Sequence, residues 1–525
     1  MNRDHFLYFT TLICGMAIMS VEICTARYLA PFYGASMITW TIIIGVIMTA
    51  LSIGNIIGGL IADSPAARDR MYHLIWIASI WIAVIPFIGK YVVSVSSLLL
   101  VFVFPEQIIT AGVFFSCCVL FSIPCIILGT ATPCLIRLGI KDLDHSGRIA
   151  GELYAVSTIG SIIGTILPTF AAIPFMGTAK TFMLFGALLC GVSLIYFLKR
   201  NIKRKRMMTA FLLMTGFMLY PMNFSYAFWK DTLVEEESAY NYLQVHRNAD
   251  TLILSTHVEV GRQSILRPGL LLTGSYYDYA LASPFFKPGW SVDEPLKVLI
   301  IGFGAGTYAK LCKIHFKNAL IDGVEIDSRI IDLGCRYFDL KPEDAKIFTE
   351  DGRSFLLRQA PQTYDVIFLD AFQDVTIPFH LGTSEFFRLA KERLREGGSL
   401  VVNINMKTRT NDTMVDSIAR TVNSAFAKVW KYDVPNFASS VIFASDDPKA
   451  RTTFLDNIRK LPTDHVLATI MNKVAENLDD VFGAGPVFSD DLSCIEIISH
   501  EVMSDLVRKN IKALMVSLIL AVHKS

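Results

Sequence analysis

Runs of apolar residues about 20 long recur through the first 200 positions, and they constrain the fold more than any other feature. A run so long and so poor in charge reads as a helix crossing a bilayer. They lie at about 6–29, 37–62, 72–89, 109–136, 149–172 and 180–198, which predicts six transmembrane helices. The first is too long for a signal peptide and is followed at once by another. The shorter run YVVSVSSLLLVFVF at 91–104 reads as an interfacial piece or an extension of its neighbour. A further run at 207–227 ends in aromatic residues and reads as re-entrant or interfacial rather than as a seventh span.

Basic residues orient these helices. Arg68 and Arg70, then Arg137, Lys141 and Arg148, then Lys199, Arg200 and Lys203 to Arg206 follow helices two, four and six. By the positive-inside rule those loops and the N-terminus are cytoplasmic, and six spans leave the rest of the chain inside the cell, at an inner membrane. Gly54 with Gly58 and Gly160 with Gly164 have the four-residue spacing that lets helices pack closely in lipid. Glu22 reads either as a functional intramembrane carboxylate or as an interfacial acid near Arg27. Asp63 and Glu152 read as helix-boundary residues. No internal repeat with broken helices stands out, so the pattern gives a transporter little support.

At 525 residues, 53% of them hydrophobic, the chain is too long and too apolar for one soluble domain. Residues 1–206 carry 15 Lys and Arg against 8 Asp and Glu, and the remainder 33 against 39. The acidic second half argues against a nucleic-acid partner and for a cationic substrate. Seven of the ten cysteines lie in the apolar half, and none of the ten shows a CxxC or His-paired spacing. The sequence therefore predicts neither a metal site nor a disulfide framework.

After Trp229 the period changes. Residues 235–290 hold three or four short strands joined by NAD, GR and RPG turns, followed by a helical stretch near Tyr276. From Pro295 strands and helices alternate to about 445, as in a doubly wound, mostly parallel sheet. The expected organisation is a helical bundle over 1–206 and an apolar connector over 207–234. A small β domain follows at 235–290, a Rossmann-like α/β domain at 291–445, and an extension at 446–525 that ends in an apolar tail at 511–522.

Ligands of such sheets bind at the carboxyl ends of the strands. VLIIGFGAGT ends the first strand with Gly302, Gly304 and Gly306, where a tight turn lets a ligand approach the backbone. The GxGxG spacing falls short of a dinucleotide fingerprint. Glu325 ends the next strand about 20 residues on, placed to accept from both ribose hydroxyls. Asp351 in EDGRSF is placed for an adenine amino group, and Asp370 ends the fourth strand in YDVIFLDAF. His380 in IPFHL reads as a packing or loop residue.

VLIIGFGAGT, VEID, EDGRSF and YDVIFLDAF, with SYYDYA before them, resemble the spermidine synthase (polyamine aminopropyltransferase) family, particularly its membrane-bound, multi-helix members. The likeness covers about 235–445, and SIGNIIGGLIAD, ILGTATPCLIRL and GELYAVSTIGSIIGT are similar to the helices of those members. It implies a transmembrane bundle fused to an α/β Rossmann-like, class I methyltransferase-type domain preceded by a small β domain. It implies decarboxylated S-adenosylmethionine as co-substrate, putrescine as acceptor, and spermidine and methylthioadenosine as products. By the same resemblance Gly302, Gly304, Ala305, Gly306, Glu325 and Asp351 bind the nucleoside, and Asp370 is the catalytic carboxylate with Asp374 as helper. Tyr240, Tyr276 and Asp278 resemble substrate-site positions. Asp491, with Asp490 and Glu496 in FSDDLSCIE, resembles an acidic motif that closes over a cationic substrate, although an exposed acidic turn fits equally. The expected partners are a small amine and the lipid bilayer, and a homodimer is compatible with the resemblance.

Two departures bear on chemistry. Soluble members carry GGGDGG, whose aspartate meets the cofactor's aminopropyl ammonium; here Ala305 takes that position. They also carry DSSDP, whereas this chain reads DAFQD, with its second acid one residue later. Without a carboxylate at 305, intact S-adenosylmethionine is admitted as an alternative donor. A methyl- or alkyltransferase acting on a membrane-associated acceptor is then a second reading. A polyamine transporter or sensor with a ligand-binding soluble domain is a third.

Overall fold

The computed structural model describes residues 3–104, 107–140, 143–200, 204–220, 224–227, 231–258, 262–371, 377–406, 412–435, 438–462, 464–481, 485–502 and 504–505. The chain divides into two compact units, Met1–Phe228 and Trp229–Ser525. Asp374 and the apolar tail at 511–522 lie outside the described residues.

The first unit is helical: α1 (Arg3–Tyr33), α2 (Met37–Ala62), α3 (Ala67–Val103), α4 (Ile108–Gly139), α5 (Ser146–Arg200) and α6 (Arg204–Leu219). The first five are long and apolar enough to cross a membrane. The 55-residue α5 holds two of the six expected spans, and Gly177 at φ 80° breaks it between them. No such break follows Gly89, so the run at 91–104 simply continues α3. The 16 residues of α6 fall short of the ~20 that a span needs.

The paired glycines mark close approach of backbones. A Cβ on Gly54 would lie 2.2 Å from the Ile126 carbonyl oxygen, and one on Gly164 would lie 2.2 Å from that of Met16. Glu22 is 6% exposed, and among the described residues of this unit it is the one buried side chain of a charged type.

The second unit begins with an antiparallel sheet of β1 (Thr232–Glu237), β2 (Tyr242–Asn248), β3 (Thr251–Ser255) and β4 (Ser264–Leu266), in that order. Next come β5 (Leu296–Ile301), β6 (Ala319–Glu325), β7 (Lys346–Thr349), β8 (Tyr364–Leu369), β9 (Leu394–Ile404), β10 (Lys428–Asp433), β11 (Ser440–Ser445) and β12 (Asp479–Asp480). Their order in one sheet is β12-β10-β11-β9-β8-β5-β6-β7. The five strands from β7 to β9 are parallel, and β10, β11 and β12 run antiparallel to their neighbours. A short link between β10 and β11 permits only an antiparallel pair.

Alternate residues of each central strand feed opposite cores, as a two-sided sheet requires. Val298 and Ile300 join one cluster with Phe286, Trp430 and Phe454, while Leu299 and Ile301 join another with Phe386, Leu369 and Val402. The extension contributes to both, through Phe454 and Met471 on the first side and Phe488 and Ile495 on the second. The small sheet packs Leu243, Val245 and Leu254 against Ile330, Leu333 and Phe338. From β5 the chain steps outward to β6 and β7, then returns to β8 on the other side of β5. That reversal opens a crevice at the carboxyl ends of β5 and β8.

Candidate active site

The turn after β5 defines the floor of this crevice. Gly302, Gly304 and Gly306 adopt φ of 82°, 59° and 86°, a region that side chains with a Cβ rarely enter. A Cβ on Gly302 would also meet the Ala371 backbone at 2.5 Å, because the end of β8 runs alongside. Gly306 is the N-cap of the helix Thr307–His315.

Glu325 ends β6 beneath this turn. One of its carboxylate oxygens accepts from Gly304 N at 2.9 Å and the other from Asp327 N at 3.1 Å. Burial pushes its carboxyl up to about 7 despite these donors. Asp351 caps the helix Gly352–Leu357, accepting from Ser354 N at 2.8 Å, and its other oxygen lies 2.9 Å from His380 Nε2. Burial alone would raise the Asp351 carboxyl, but the bonds from Ser354 and His380 outweigh it and hold the group below the usual carboxylate range.

Asp370 stands at the end of β8, its N–H donating to the Ile301 carbonyl at 2.8 Å. Tyr276 Oη donates to its Oδ2 at 3.0 Å and Asn403 Nδ2 to its Oδ1 at 2.7 Å. The Asn403 amide also donates to Asn405 Oδ1 at 3.1 Å, so both of its N–H groups are committed. The rings of Tyr276 and Tyr277 lie tilted at 33° to each other with centroids 4.1 Å apart. Burial raises both phenols well above their ordinary value, so they remain protonated donors.

One cleft is lined by Gly302, Gly304, Glu325, Asp351 and Asp370, and five predicted site residues therefore converge. Tyr276 joins them through its bond to Asp370. Asp278 is 1% exposed and faces a turn: its oxygens accept from Thr273 N and Oγ1, both at 2.8 Å, and from Gly274 N at 2.6 Å. This holds the segment that leads into Tyr276. Ala305 is 1% exposed within the apolar cluster of Leu243, Leu254 and Ile330, and it does not line the cleft. Tyr240 is exposed at the turn between β1 and β2, and Asp491 is exposed; neither lines the cleft.

Other lining residues escaped the sequence reading. Asn241, Thr256 and Gln263 come from the connections of the small β sheet, each one residue outside a strand. His380, assigned above to packing or a loop, faces the cleft beside Asp351. Asn403, which reaches the site through its bond to Asp370, sits on β9, the fifth parallel strand, near its carboxyl end, where β6, β7 and β8 carry acids at or just beyond theirs. Extending the strand-end rule by one strand would have found it.

Residues 286–456 match the spermine/spermidine synthase domain family. Over 334 residues the chain is 34% identical to a probable polyamine aminopropyl transferase of Bifidobacterium longum (strain NCC 2705), covering 60% of this chain and 73% of that one. It is 31% identical over 173 residues to a polyamine aminopropyltransferase of Vibrio vulnificus (strain CMCP6), covering 32% of this chain and 55% of that one. It is also 24% identical over 222 residues to the eEF1A lysine and N-terminal methyltransferase of Mus musculus, covering 40% of this chain and 30% of that one.

Proposed function

The chain belongs to the polyamine aminopropyltransferase family, and from that premise we propose that it is a membrane-bound member that moves the aminopropyl group of decarboxylated S-adenosylmethionine onto putrescine. The observation that carries this reading is the position of Asp370. It shares one cleft with Glu325 and Asp351, and each of its oxygens is held by a neutral donor.

In this reaction the amine nitrogen attacks the methylene carbon beside the sulfonium. The new N–C bond forms as the C–S bond breaks, the electron pair returns to sulfur to give methylthioadenosine, and the amine sheds a proton. Such attack needs a neutral, oriented amine. Asp370 accepts from the incoming nitrogen, orients it and offsets its growing positive charge, while Tyr276 and Asn403 keep the carboxylate in place. Asp374 assists. Glu325 takes the ribose hydroxyls, Asp351 the adenine amino group, and the glycine turn admits the nucleoside to the backbone. Tyr240 and Asp491 belong to the amine side by resemblance, and Asp278 acts through the turn it holds below Tyr276. Adding putrescine and decarboxylated S-adenosylmethionine to detergent-purified protein should release methylthioadenosine and spermidine in equal amounts. Methylthioadenosine formed at the same rate without any amine would refute the assignment of the acceptor.

The carboxyl of Glu325 makes nucleoside affinity depend on pH. A ribose diol donates to the ionised carboxylate, so methylthioadenosine should bind progressively tighter as pH rises through about 7, and then level off. Titration calorimetry checks this, and Glu325→Gln should bind weakly at every pH. The sign reverses for the empty fold: a carboxyl raised above its unfolded value favours the protonated form, so stability falls as pH rises toward 7.

Membrane attachment rests on five long apolar helices and on what they expose. Ile56, Leu60, Phe170 and Phe175 are 71%, 74%, 75% and 86% exposed, which suits lipid and not water. With six crossings and the basic loops inside, the catalytic unit is cytoplasmic. Reporter fusions at the C-terminus read its side directly, and an extracytoplasmic signal would overturn this topology. Ala305 supports a second reading, in which intact S-adenosylmethionine is the donor and a methyl or other alkyl group is moved. With an alanine side chain buried in an apolar cluster, position 305 offers the donor's charged tail no carboxylate.

A further inference from the structure

Asp490 receives a two-pronged bond from Arg353, Nη1 to Oδ1 at 2.7 Å and Nη2 to Oδ2 at 2.6 Å. This fork-to-fork geometry fixes direction as well as distance. Thr383 Oγ1 donates to the same Asp490 Oδ1 at 2.7 Å, and Asp490 N donates to Glu385 at 3.1 Å. Arg353 Nη1 also donates to the backbone carbonyl of His380 at 3.1 Å.

These bonds lie behind the wall of the cleft, and neither Arg353 nor Asp490 lines it. Arg353 follows Asp351 by two residues, and His380 is the residue whose ring meets Asp351. The extension is further fixed to this loop by Ser384 N donating to the Phe488 carbonyl at 2.9 Å. Ile495 packs so closely that a Cβ on Gly382 would meet it at 2.8 Å. The Arg353 contact holds the Asp490 carboxyl below its usual range, so the bridge stays ionised at neutral pH.

We propose that Arg353 and Asp490 are positioning residues for the nucleoside: the C-terminal extension clamps the 377–385 loop so that His380 is held against Asp351 on the adenine side of the cleft. This deepens the proposed function and rests on its assignment of Asp351 to the nucleoside. It moves Asp490 from the amine to the nucleoside, and it gives the extension a task that a bare Rossmann-like sheet leaves undone.

The test uses the full chain in detergent and methylthioadenosine as probe. Asp490→Asn keeps the shape and removes the charge. It should weaken methylthioadenosine binding about tenfold, the scale of a modest misplacement of a binding group, while the amine KM at saturating nucleoside moves less than twofold. In a His380→Ala background the same substitution should cost less than twofold, because its effect passes through His380. Arg353→Lys, which keeps the charge but loses the fork, serves if Asp490→Asn fails to fold and should behave alike. Unchanged nucleoside affinity, a selective rise in amine KM, or a full tenfold loss in the His380→Ala background would each overturn the proposal. Failure of the unsubstituted protein to bind methylthioadenosine would instead strike the function assigned above.

Discussion

Replacing Asp370 with asparagine should lower turnover by about three orders of magnitude and leave methylthioadenosine binding within a few-fold of the parent. The substitution preserves shape but removes the charge that orients the amine and takes up its proton, contributions worth about 10²–10⁴ in rate. The nucleoside contacts assigned to Glu325 and Asp351 lie at the end of β6 and in the turn after β7, away from β8, so affinity for the product nucleoside should survive. Tyr276 and Asn403 would still find an oxygen at one position, but the amide nitrogen would face a donor at the other. Single-turnover kinetics with calorimetry separates the two quantities. A fully active Asp370→Asn protein would remove this residue from the mechanism. A protein that had lost both activity and nucleoside binding would place it in the nucleoside site.

The second large effect concerns Ala305. Restoring the aspartate that soluble members carry at this position should not restore their cofactor selection. It should destabilise the catalytic unit by about 3 kcal/mol or more, the cost of a buried charge without a partner. Ala305 is 1% exposed, with Leu243 and Leu254 of the small sheet and Ile330 of the helix Ser328–Tyr337 in its apolar cluster. The new carboxyl would have to stay protonated there or force the small sheet outward. Thermal unfolding of Ala305→Asp measures this. An unchanged midpoint together with a new preference for the decarboxylated donor would mean that the side chain faces the donor after all.

The contrast between these positions explains how much the sequence disclosed. Glu325, Asp351 and Asp370 were legible because each falls at or just beyond the carboxyl end of a strand, and strand ends can be read from hydrophobic period alone. The three glycines were legible because a tight turn after a buried strand tolerates few other residues, and their positive φ bears this out. The orientation of Ala305 was not legible. Which way a loop side chain points depends on packing against β2 and β3, more than 50 residues earlier. His380 and Asn241 escaped for the same reason: the loop and the β1–β2 turn that supply them have no fixed spacing from the glycine turn.

In the helical unit, length and apolarity were legible in the sequence. Nothing between Gly89 and Tyr91 breaks a helix, so the run at 91–104 extends its neighbour, one of the two readings the sequence left open, in a helix of 37 residues. Gly177 falls between the spans read at 149–172 and 180–198, and there the 55-residue helix breaks.

Product identity tests the central claim most directly. The purified protein would be given decarboxylated and intact S-adenosylmethionine in separate reactions with putrescine, and the nucleoside products read by mass spectrometry. The account predicts methylthioadenosine and spermidine from the decarboxylated donor. S-adenosylhomocysteine from the intact donor, with no methylthioadenosine from the other, would contradict it.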